Sequence, residues 1–251
     1  MLWQDEGVVL AARRHGESAL VASLMTREHG RHAGLVRGGA SPRAKPLWQP
    51  GNRLQVTWRA RLPEHLGQFT AEPVQLSAAC LIDDPARLSG LMAACALVEA
   101  SLPERDPHLL VYNGLLDLLD VLLQDGPWLE RYVGFELDLL AELGFGLDLS
   151  ACAVTGATAD LVYVSPLTGR AVTRAGAGTY APRLLPLPPF LLGAGPADNA
   201  QILDGLRLTG AFLRRHLFDA TDRAMPGARE RLIAHLTRRL QNRTDNGHAS
   251  R

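Results

Sequence analysis

Apolar and polar residues alternate over the first third of the chain, with the period expected of half-buried β-strands. Five segments carry the pattern: EGVVLAA (6–12), ALVASLMT (19–26), HAGLVR (32–37), LQVTWRA (54–60) and LGQFTAEPVQL (66–76). Gly16 and Gly30 follow the first two and favour turns, because glycine accepts a positive φ. Five short strands with one longer connection at 38–52 predict a small closed barrel. The five-stranded OB-fold barrel is the commonest solution of this size, and an SH3-like barrel is the alternative.

From about residue 80 the apolar residues recur every three or four positions, which predicts helices. Asp83-Asp84-Pro85 has the acidic cap and early proline of a helix start. A second helix is predicted over roughly 105–124. A third starts after Asp125-Gly126-Pro127 and closes at Gly144, a favoured residue for a left-handed cap. These helices are apolar on more than one face, so they are predicted to form the core of a bundle.

The rest of the chain is less regular. LVYVS and GRAVT predict a small hairpin within about 150–190, whereas LLPLPPF is too rich in proline for regular structure. Two further helices are predicted at about 198–218 and 226–242, before a polar tail at about 243–251 that is predicted to be disordered. The expected fold class is α+β, with an OB-fold domain over 1–79 and a helical domain over 80–251 that carries the irregular insert.

Composition is that of an ordinary globular protein, with 47% hydrophobic and 21% charged residues in a chain of 251. No apolar run is long enough for a transmembrane helix, and the N-terminus lacks the pattern of a signal peptide. Cys80, Cys95 and Cys152 are widely spaced and odd in number, which argues against a disulfide framework. These features predict a cytoplasmic protein that does not enter a membrane.

Charge is segregated along the chain, although the formal net charge is zero. Residues 1–80 carry a net charge of +4, residues 81–150 one of −10 and residues 151–251 one of +6. A neutral total is therefore no argument against a polyanionic partner, since each region presents its own field.

The segment REHGRHAGLVRGGASPRAKP, from Arg27 to Pro46, places an apolar strand among basic residues. It is either a solvated hairpin or a strand and loop that hold an anionic ligand. In the second interpretation Arg37 ends a strand and Arg43 and Lys45 lie on the loop. The other candidates for contact with such a ligand are Arg13, Arg14 and Arg53. Aromatic side chains for base stacking are scarce; Trp48 and Trp58 are the candidates, and either could belong to the core.

No catalytic chemistry is predicted, because the chain lacks GxSxG, GxxxxGK[ST] and GxGxxG motifs. Cys152-Ala-Val-Thr155-Gly156 has the outline of half a zinc knuckle with its second cysteine replaced by Thr. A structural zinc site needs four ligands, and no other Cys or His occurs from 150 to 185. No metal or other cofactor is therefore expected. His15, His29 and His32 are interpreted as solvated residues beside turns, and the chain as a binding protein.

An ordered set of short motifs resembles the bacterial DNA repair and recombination mediator family RecO. The motifs are Glu6-Gly7-Val8-Val9-Leu10, Gly16-Glu17-Ser18, Thr26-Arg27-Glu28-His29-Gly30, Leu35-Val36-Arg37-Gly38, Gln49-Pro50-Gly51, Phe135-Glu136-Leu137 with Leu139-Leu140, Leu143-Gly144-Phe145, and Cys152. The resemblance covers nearly the whole chain, and its strength lies in the order of the motifs.

The resemblance implies an OB-fold domain, a helical domain and a zinc-finger-like insert. It also implies binding of single- and double-stranded DNA, strand annealing, and partnership with RecR and with single-stranded DNA-binding protein (SSB), which together help to load RecA. Many members carry four cysteines in the insert, whereas this chain keeps one, so the insert is expected to be degenerate and free of zinc.

The acidic tail of SSB ends in a hydrophobic residue, so its receptor needs an apolar pocket and a guanidinium. Arg131, with Tyr132 and Phe135 on the same helix, is the candidate pocket. The alternative is that Arg131 only pairs with Glu130 or Glu136. Two other functions stay open: an OB-fold RNA-binding or ribosome-associated factor, and a purely structural adaptor.

Overall fold

The computed structural model describes the backbone of residues 1–124 and 126–248, and side chains in the last helix as far as Arg238. It has two compact units. The first contains Met1–Gly126 and Pro226–Leu232, and the second contains Pro127–Met225 and the chain from Ile233 onward. The predicted domain boundary at residue 79 stays a prediction.

The first unit begins with a closed five-stranded barrel, and all five predicted strands are present. They are β1 (Leu2–His15), β2 (Ala19–Thr26), β3 (Gly30–Val36), β4 (Arg53–Arg59) and β5 (Gln68–Gln75). Their order around the barrel is β1-β2-β3-β5-β4, and β1 closes it by pairing with both β2 and β4. This arrangement is consistent with the OB fold.

The inward-facing residues of each strand fill the barrel. Phe69, Trp48 and Trp58 are its largest side chains, and the two indoles are only 3% and 1% exposed. The indole N–H of Trp58 donates to the carbonyl of Leu66 at 3.0 Å. Of the two roles that the sequence left open for Trp48 and Trp58, stacking platform or core residue, the structure shows the second, because both rings fill the interior of the barrel.

Three helices complete the first unit: α1 (Ser77–Cys80), α2 (Pro85–Ser101) and α3 (Leu109–Leu123). The Asp84 carboxylate accepts the N–H groups of Ala86 and Arg87, which confirms the predicted start of α2. α2 lies on the outside of the barrel, where the Ser23 hydroxyl donates to Glu99 at 2.5 Å. Gly51 permits this close approach, because a Cβ atom there would lie 2.4 Å from Leu91.

The second unit combines helices with a small sheet. Its elements are α4 (Trp128–Glu142), β6 (Leu161–Val164), β7 (Ala171–Thr173), α5 (Arg174–Ala177), β8 (Leu185–Pro186), α6 (Asn199–Leu213) and, from Ile233 onward, α7 (Gly227–His248). The predicted hairpin is β6 with β7. The LLPLPPF segment contributes β8, contrary to prediction, because proline is tolerated in a short strand at the edge of a sheet. Gly144 has a φ of 84°, as its predicted cap requires.

The predicted disorder of the C-terminal tail needs correction, and other predictions concern residues outside the described part of the chain. Helix α7 continues to His248, whereas the sequence predicted disorder from about 243. A polar composition does not by itself end a helix, since each added residue extends an existing hydrogen-bonded ladder. Residues 249–251 and Asp125, which was predicted to restart a helix, lie outside the described residues. No described helix is both long and apolar enough to cross a bilayer.

His32 is buried, which corrects its interpretation as a solvated turn residue. The ring is 4% exposed and lies edge-on to Trp3 and Trp58, at 5.0 and 4.8 Å between ring centroids. Within the described part of the chain neither ring nitrogen has a hydrogen-bond partner. Burial, helped by the charge of Arg105, lowers the pKa of His32 from 6.5 to about 4.

We expect His32→Phe to reduce the acid sensitivity of the fold. Because the pKa of His32 is lower in the folded protein, its neutral form is fully compatible with the fold above pH 6.5, and stability falls as the pH drops from there toward 4. The loss at pH 5 attributable to His32 is on the order of 1–2 kcal/mol. Urea unfolding at pH 7.5 and pH 5 measures it. His15→Ala, which changes an exposed histidine, is the control, and an unchanged pH dependence in His32→Phe would contradict the assignment.

Candidate nucleic-acid interface

Three chain segments meet at one end of the barrel. Arg14 of β1 lies opposite Leu20 of β2, and Leu20 lies opposite Val36 of β3. The β1–β2 turn and the loop that follows β3 therefore come out side by side. The amide of Ala40 donates to the carbonyl of Ser18 at 3.0 Å and ties the loop to the turn.

Five of the six predicted DNA-binding residues lie at this end, and their side chains are exposed. They are Arg13, Arg14, Arg37, Arg43 and Lys45, which we call the basic end. Arg14 donates to the carbonyl of Glu17 at 2.9 Å. Among the described residues, no carboxylate forms an ion pair with any of the five. Their charges are thus available to an anionic partner.

The loop between β3 and β4 is ordered by its own hydrogen bonds. The amide of Lys45 donates to the carbonyl of Ser41 at 2.9 Å. The side chain of Asn52 is buried and donates to the carbonyls of Pro46 and Leu47 at 2.9 and 3.0 Å. With Trp48 inserted into the barrel, the loop has a defined course. It therefore holds its cations in place, which limits the entropy lost when an anion binds.

Arg53, the sixth predicted residue, lies elsewhere on the barrel wall. Its Nε and Nη2 atoms both donate to Oε1 of Glu6, at 3.1 and 2.7 Å. It lies opposite Val8 of β1, five residues before Arg13, which corresponds to roughly 16 Å along a strand. Its charge is already paired, so it adds little to the field of the basic end.

Two basic residues that the sequence interpretation missed border a groove beside the same end. Arg59 and Arg61 line an opening of about 340 Å³ together with Leu35, His65, Leu66 and Gln68. Both guanidinium groups are exposed, and neither is in an ion pair with a described carboxylate. The sequence signal was the Arg-Ala-Arg at the end of the β4 pattern.

Two of the three residues proposed for an SSB-tail pocket are closed off from solvent. Tyr132 and Phe135 are fully buried. Arg131 donates through Nη1 and Nη2 to Oδ2 of Asp138, at 3.0 and 3.1 Å. Asp138, two helical turns along α4, is thus one partner of Arg131, while Glu136 is buried and accepts a hydrogen bond from Thr209. A sequence does not show which apolar face of a helix is buried, so the predicted pocket wall of Tyr132 and Phe135 is part of the core instead.

An apolar cavity does open in the second unit. Its volume is about 480 Å³, and its lining includes Val154, Leu167, Val172, Tyr180, Arg183 and Leu184. Leu167 and Tyr180 are exposed large hydrophobic residues, 75% and 65% accessible. A cavity of this size lined by apolar side chains with one guanidinium suits an apolar group that carries a negative charge.

Cys152 is the one cysteine of the zinc-finger-like insert, and the described residues around it do not form a set of metal ligands. Its Sγ accepts hydrogen bonds from the amides of Thr155 and Thr173, at 3.4 and 3.3 Å. Burial would raise the pKa of the Cys152 thiol, but the hydrogen bonds from Thr155 and Thr173 lower it to about 6. The described residues contain no group of three or more His, Cys, Asp or Glu side chains that could hold a metal ion. This donor set does not fit zinc.

Comparison with known proteins gives a consistent picture over nearly the full length. The family model for the N-terminal domain of recombination protein O matches residues 1–76, and that for its C-terminal domain matches residues 82–224. A DNA repair protein RecO from Cereibacter sphaeroides strain KD131 is 51% identical over 239 residues, covering 95% of this chain and 99% of the relative. RecO proteins of Rhodospirillum centenum and Ruegeria sp. TM1040 are 50% and 49% identical, covering 93% and 96% of this chain and 94% and 100% of the relatives.

We expect the purified protein to contain far less than one zinc ion per chain, since Cys152 alone cannot hold the metal. Elemental analysis after extensive dialysis measures this. The Cys152→Ser variant should have the same metal content. Stoichiometric zinc that disappears in Cys152→Ser would show that ligands from elsewhere in the chain complete a site.

Proposed function

The chain belongs to the RecO family of DNA repair proteins, and from this premise we propose that it is a DNA-binding mediator of repair and homologous recombination, without catalytic activity of its own. The observation that carries the proposal is the basic end: five exposed cations at the end of β1 and on the ordered loop after β3 of a closed barrel. OB-fold barrels bind oligonucleotides with their loops and strand faces. In the cell this activity belongs in the cytoplasm, at the nucleoid.

The basic end holds the phosphate backbone. Each guanidinium or ammonium group that neutralises a phosphate releases condensed counterions, so affinity depends steeply on salt concentration. Phosphates are common to single strands and duplexes, and both are therefore ligands of this surface. Two strands that are neutralised side by side repel each other less, which is the physical basis we propose for strand annealing.

The family resemblance supports the remaining steps of the proposal. With RecR, the protein helps to load RecA onto single strands coated by SSB. An RNA-binding role is the alternative, since phosphate contacts alone do not exclude RNA. Filter binding of single-stranded DNA, duplex DNA and RNA at two salt concentrations separates these roles, and a structural adaptor would bind none of them.

Replacing Arg37, Arg43 and Lys45 together by Ala should weaken binding and annealing of single-stranded DNA. The slope of log affinity against log salt should flatten by about two to three units, because three phosphate contacts are lost. The fold should be retained, since exposed loop charges contribute little to stability. Fluorescence anisotropy across a salt series measures affinity and slope.

The matched control removes the same charge elsewhere. Arg27, Arg174 and Arg223 are exposed and lie outside the basic end. Their triple Ala variant should keep a slope close to that of the native protein. Equal effects of the two triple variants would mean that overall charge, and no particular surface, governs binding.

The SSB tail, an acidic peptide with a hydrophobic end, is assigned to the apolar cavity of the second unit instead of to Arg131. Arg183 supplies the guanidinium, and Leu167 and Tyr180 supply apolar walls. This cavity combines an apolar wall with a guanidinium, which are the two features that the tail requires, whereas Tyr132 and Phe135 are buried.

Arg183→Glu should lower the affinity for an SSB-tail peptide by at least tenfold, as expected for a lost carboxylate–guanidinium pair with added repulsion. Arg131→Gln should leave the affinity unchanged. Isothermal titration calorimetry with the peptide measures both. If Arg131→Gln weakens binding of the peptide and Arg183→Glu does not, the SSB-tail site lies on α4.

A further inference from the structure

A short strap joins the start of β3 to the loop between β4 and β5. The strap is the connection between α2 and α3, residues 103–107, and it is exposed along its whole length. Glu104 lies in parallel register with Arg31 of β3. Nε of Arg31 donates to the carbonyl of Leu102 at 2.9 Å, at the point where the strap begins. The strap therefore runs along the barrel beside β3.

Arg105 makes most of the hydrogen bonds that hold the strap in place. Its amide donates to the carbonyl of Arg31 at 2.7 Å. Its Nη2 atom donates to the carbonyls of Glu64 and His65, at 3.1 and 3.0 Å, in the loop between β4 and β5. One side chain thus connects the strap to a loop 40 residues earlier in the chain.

The strap has the features of a segment that opens locally. Arg105 has a φ of 64°, a left-handed conformation that is unfavourable for a residue with a Cβ atom. Pro103 and Pro107 have no amide hydrogen, so the strap has few backbone donors. Exposed segments with few backbone hydrogen bonds open at a free energy well below that of global unfolding.

His32 follows Arg31 on β3 and is a polar ring in an apolar pocket. Its ring lies 5.0, 4.8 and 6.3 Å from those of Trp3, Trp58 and Phe69, between centroids. The side chain is buried, and in the described part of the chain neither ring nitrogen has a hydrogen-bond partner. Such a pocket accepts the neutral imidazole and disfavours the charged one.

The charged groups that act on His32 are Arg105 of the strap and His29 of the β2–β3 turn. The Arg105 guanidinium donates to carbonyl oxygens, and no described carboxylate forms an ion pair with it. Nδ1 of His29 lies 2.9 Å from Oδ2 of Asp5 on β1. The strands β1, β4 and β5 face the His32 ring with the three aromatic side chains, and Leu24 is its register partner on β2. A proton on His32 would therefore be repelled by Arg105.

We propose that the strap is a pH-sensitive device: a proton on His32 releases Arg105 from Glu64 and His65 and so loosens the loop between β4 and β5, while the barrel stays folded. The closed strap fits the neutral imidazole. The open strap moves the Arg105 charge away and lets water reach the ring, so it accepts the proton. The inference goes beyond the proposed function and does not depend on DNA binding.

The pH range of the device follows from the two forms of the strap. With the strap closed, burial and the charge of Arg105 lower the pKa of His32 from 6.5 to about 4. With the strap open, the hydrated ring regains its ordinary pKa of about 6.5. Closure is therefore most favourable above pH 6.5 and weakens as the pH falls toward 4. At pH 5 the open form should be roughly 30 times more populated than at pH 7.5.

Hydrogen exchange followed by NMR at pH 7.5 and pH 5 tests the device, with rates corrected for the intrinsic pH dependence of amide exchange. Protection of the amides of Arg105 and His65, which donate to Arg31 and Leu62, should fall roughly 30-fold. Local opening exposes little surface, so low concentrations of urea should leave this protection unchanged. Amides of the barrel core should lose protection steadily as urea is added.

His32→Phe keeps an aromatic ring in the pocket without a titrating group, so protection of the Arg105 and His65 amides should then be the same at both pH values. His15→Ala changes an exposed histidine and should respond as the native protein does.

Arg105→Gly tests the strap from its exposed side. Glycine accepts the positive φ, and the variant removes the guanidinium. The His65 amide should be poorly protected at both pH values, and the pKa of His32, measured by NMR titration, should rise toward 6.5. Arg61→Ala is the matched control, because Arg61 is an exposed arginine near the same loop; it should change neither quantity.

Protection of the Arg105 amide that does not change with pH, or a pH response that persists in His32→Phe, would overturn the proposal. A urea dependence as steep as that of the barrel core would do the same, since exchange would then require global unfolding. If His32→Phe does not fold, Arg105→Gly decides: an unchanged His65 amide and an unchanged pKa of His32 would contradict the device. None of these measurements involves DNA, so their failure would leave the proposed function standing.

Discussion

Closure of the barrel by β1 is the constraint on which the arrangement of charges depends. β1 pairs with β4 through its first half and with β2 through its second half, and its register shifts between Val9 and Ala11. A bulge of this kind bends a strand and increases its twist, which lets one strand serve two neighbours. Once the barrel is closed, every outward residue has fixed neighbours on both sides. The alignment of Arg13 with Val21 of β2 and Leu35 of β3, for example, follows from that register.

The fold was largely predictable because its signals are local. Alternation located the five strands, and the acidic residue with a following proline located the start of α2. The positions of Arg43 and Lys45 on an exposed loop were also predicted correctly, and Arg37 directly follows the strand that it was predicted to end. What local patterns did not reveal was which side chains meet at long range. Arg53 is neutralised by Glu6, 47 residues earlier in the chain, and no window of sequence contains both.

The candidate site was less predictable for the same reason. Arg59 and Arg61 follow a strand and look like ordinary surface charges, until the register places them beside Leu35. Trp48 and Trp58 were ambiguous because an aromatic ring serves a core and a stacking surface equally well. Burial depends on the whole fold. Cys152 shows the reverse case: the lack of further Cys and His ligands was visible in sequence, but the two amides that donate to its sulfur were not.

The shifted register of β1 also bears on how this segment can change over evolutionary time. Side chains point alternately inward and outward, so an inserted or deleted residue between Ala11 and Arg14 would turn the basic residues that follow it toward the opposite face. A guanidinium that now faces solvent would turn toward the core side of the barrel wall. Substitutions at the exposed positions carry no such penalty. Over evolutionary time, this segment is therefore expected to accept substitutions at its exposed positions more readily than insertions or deletions.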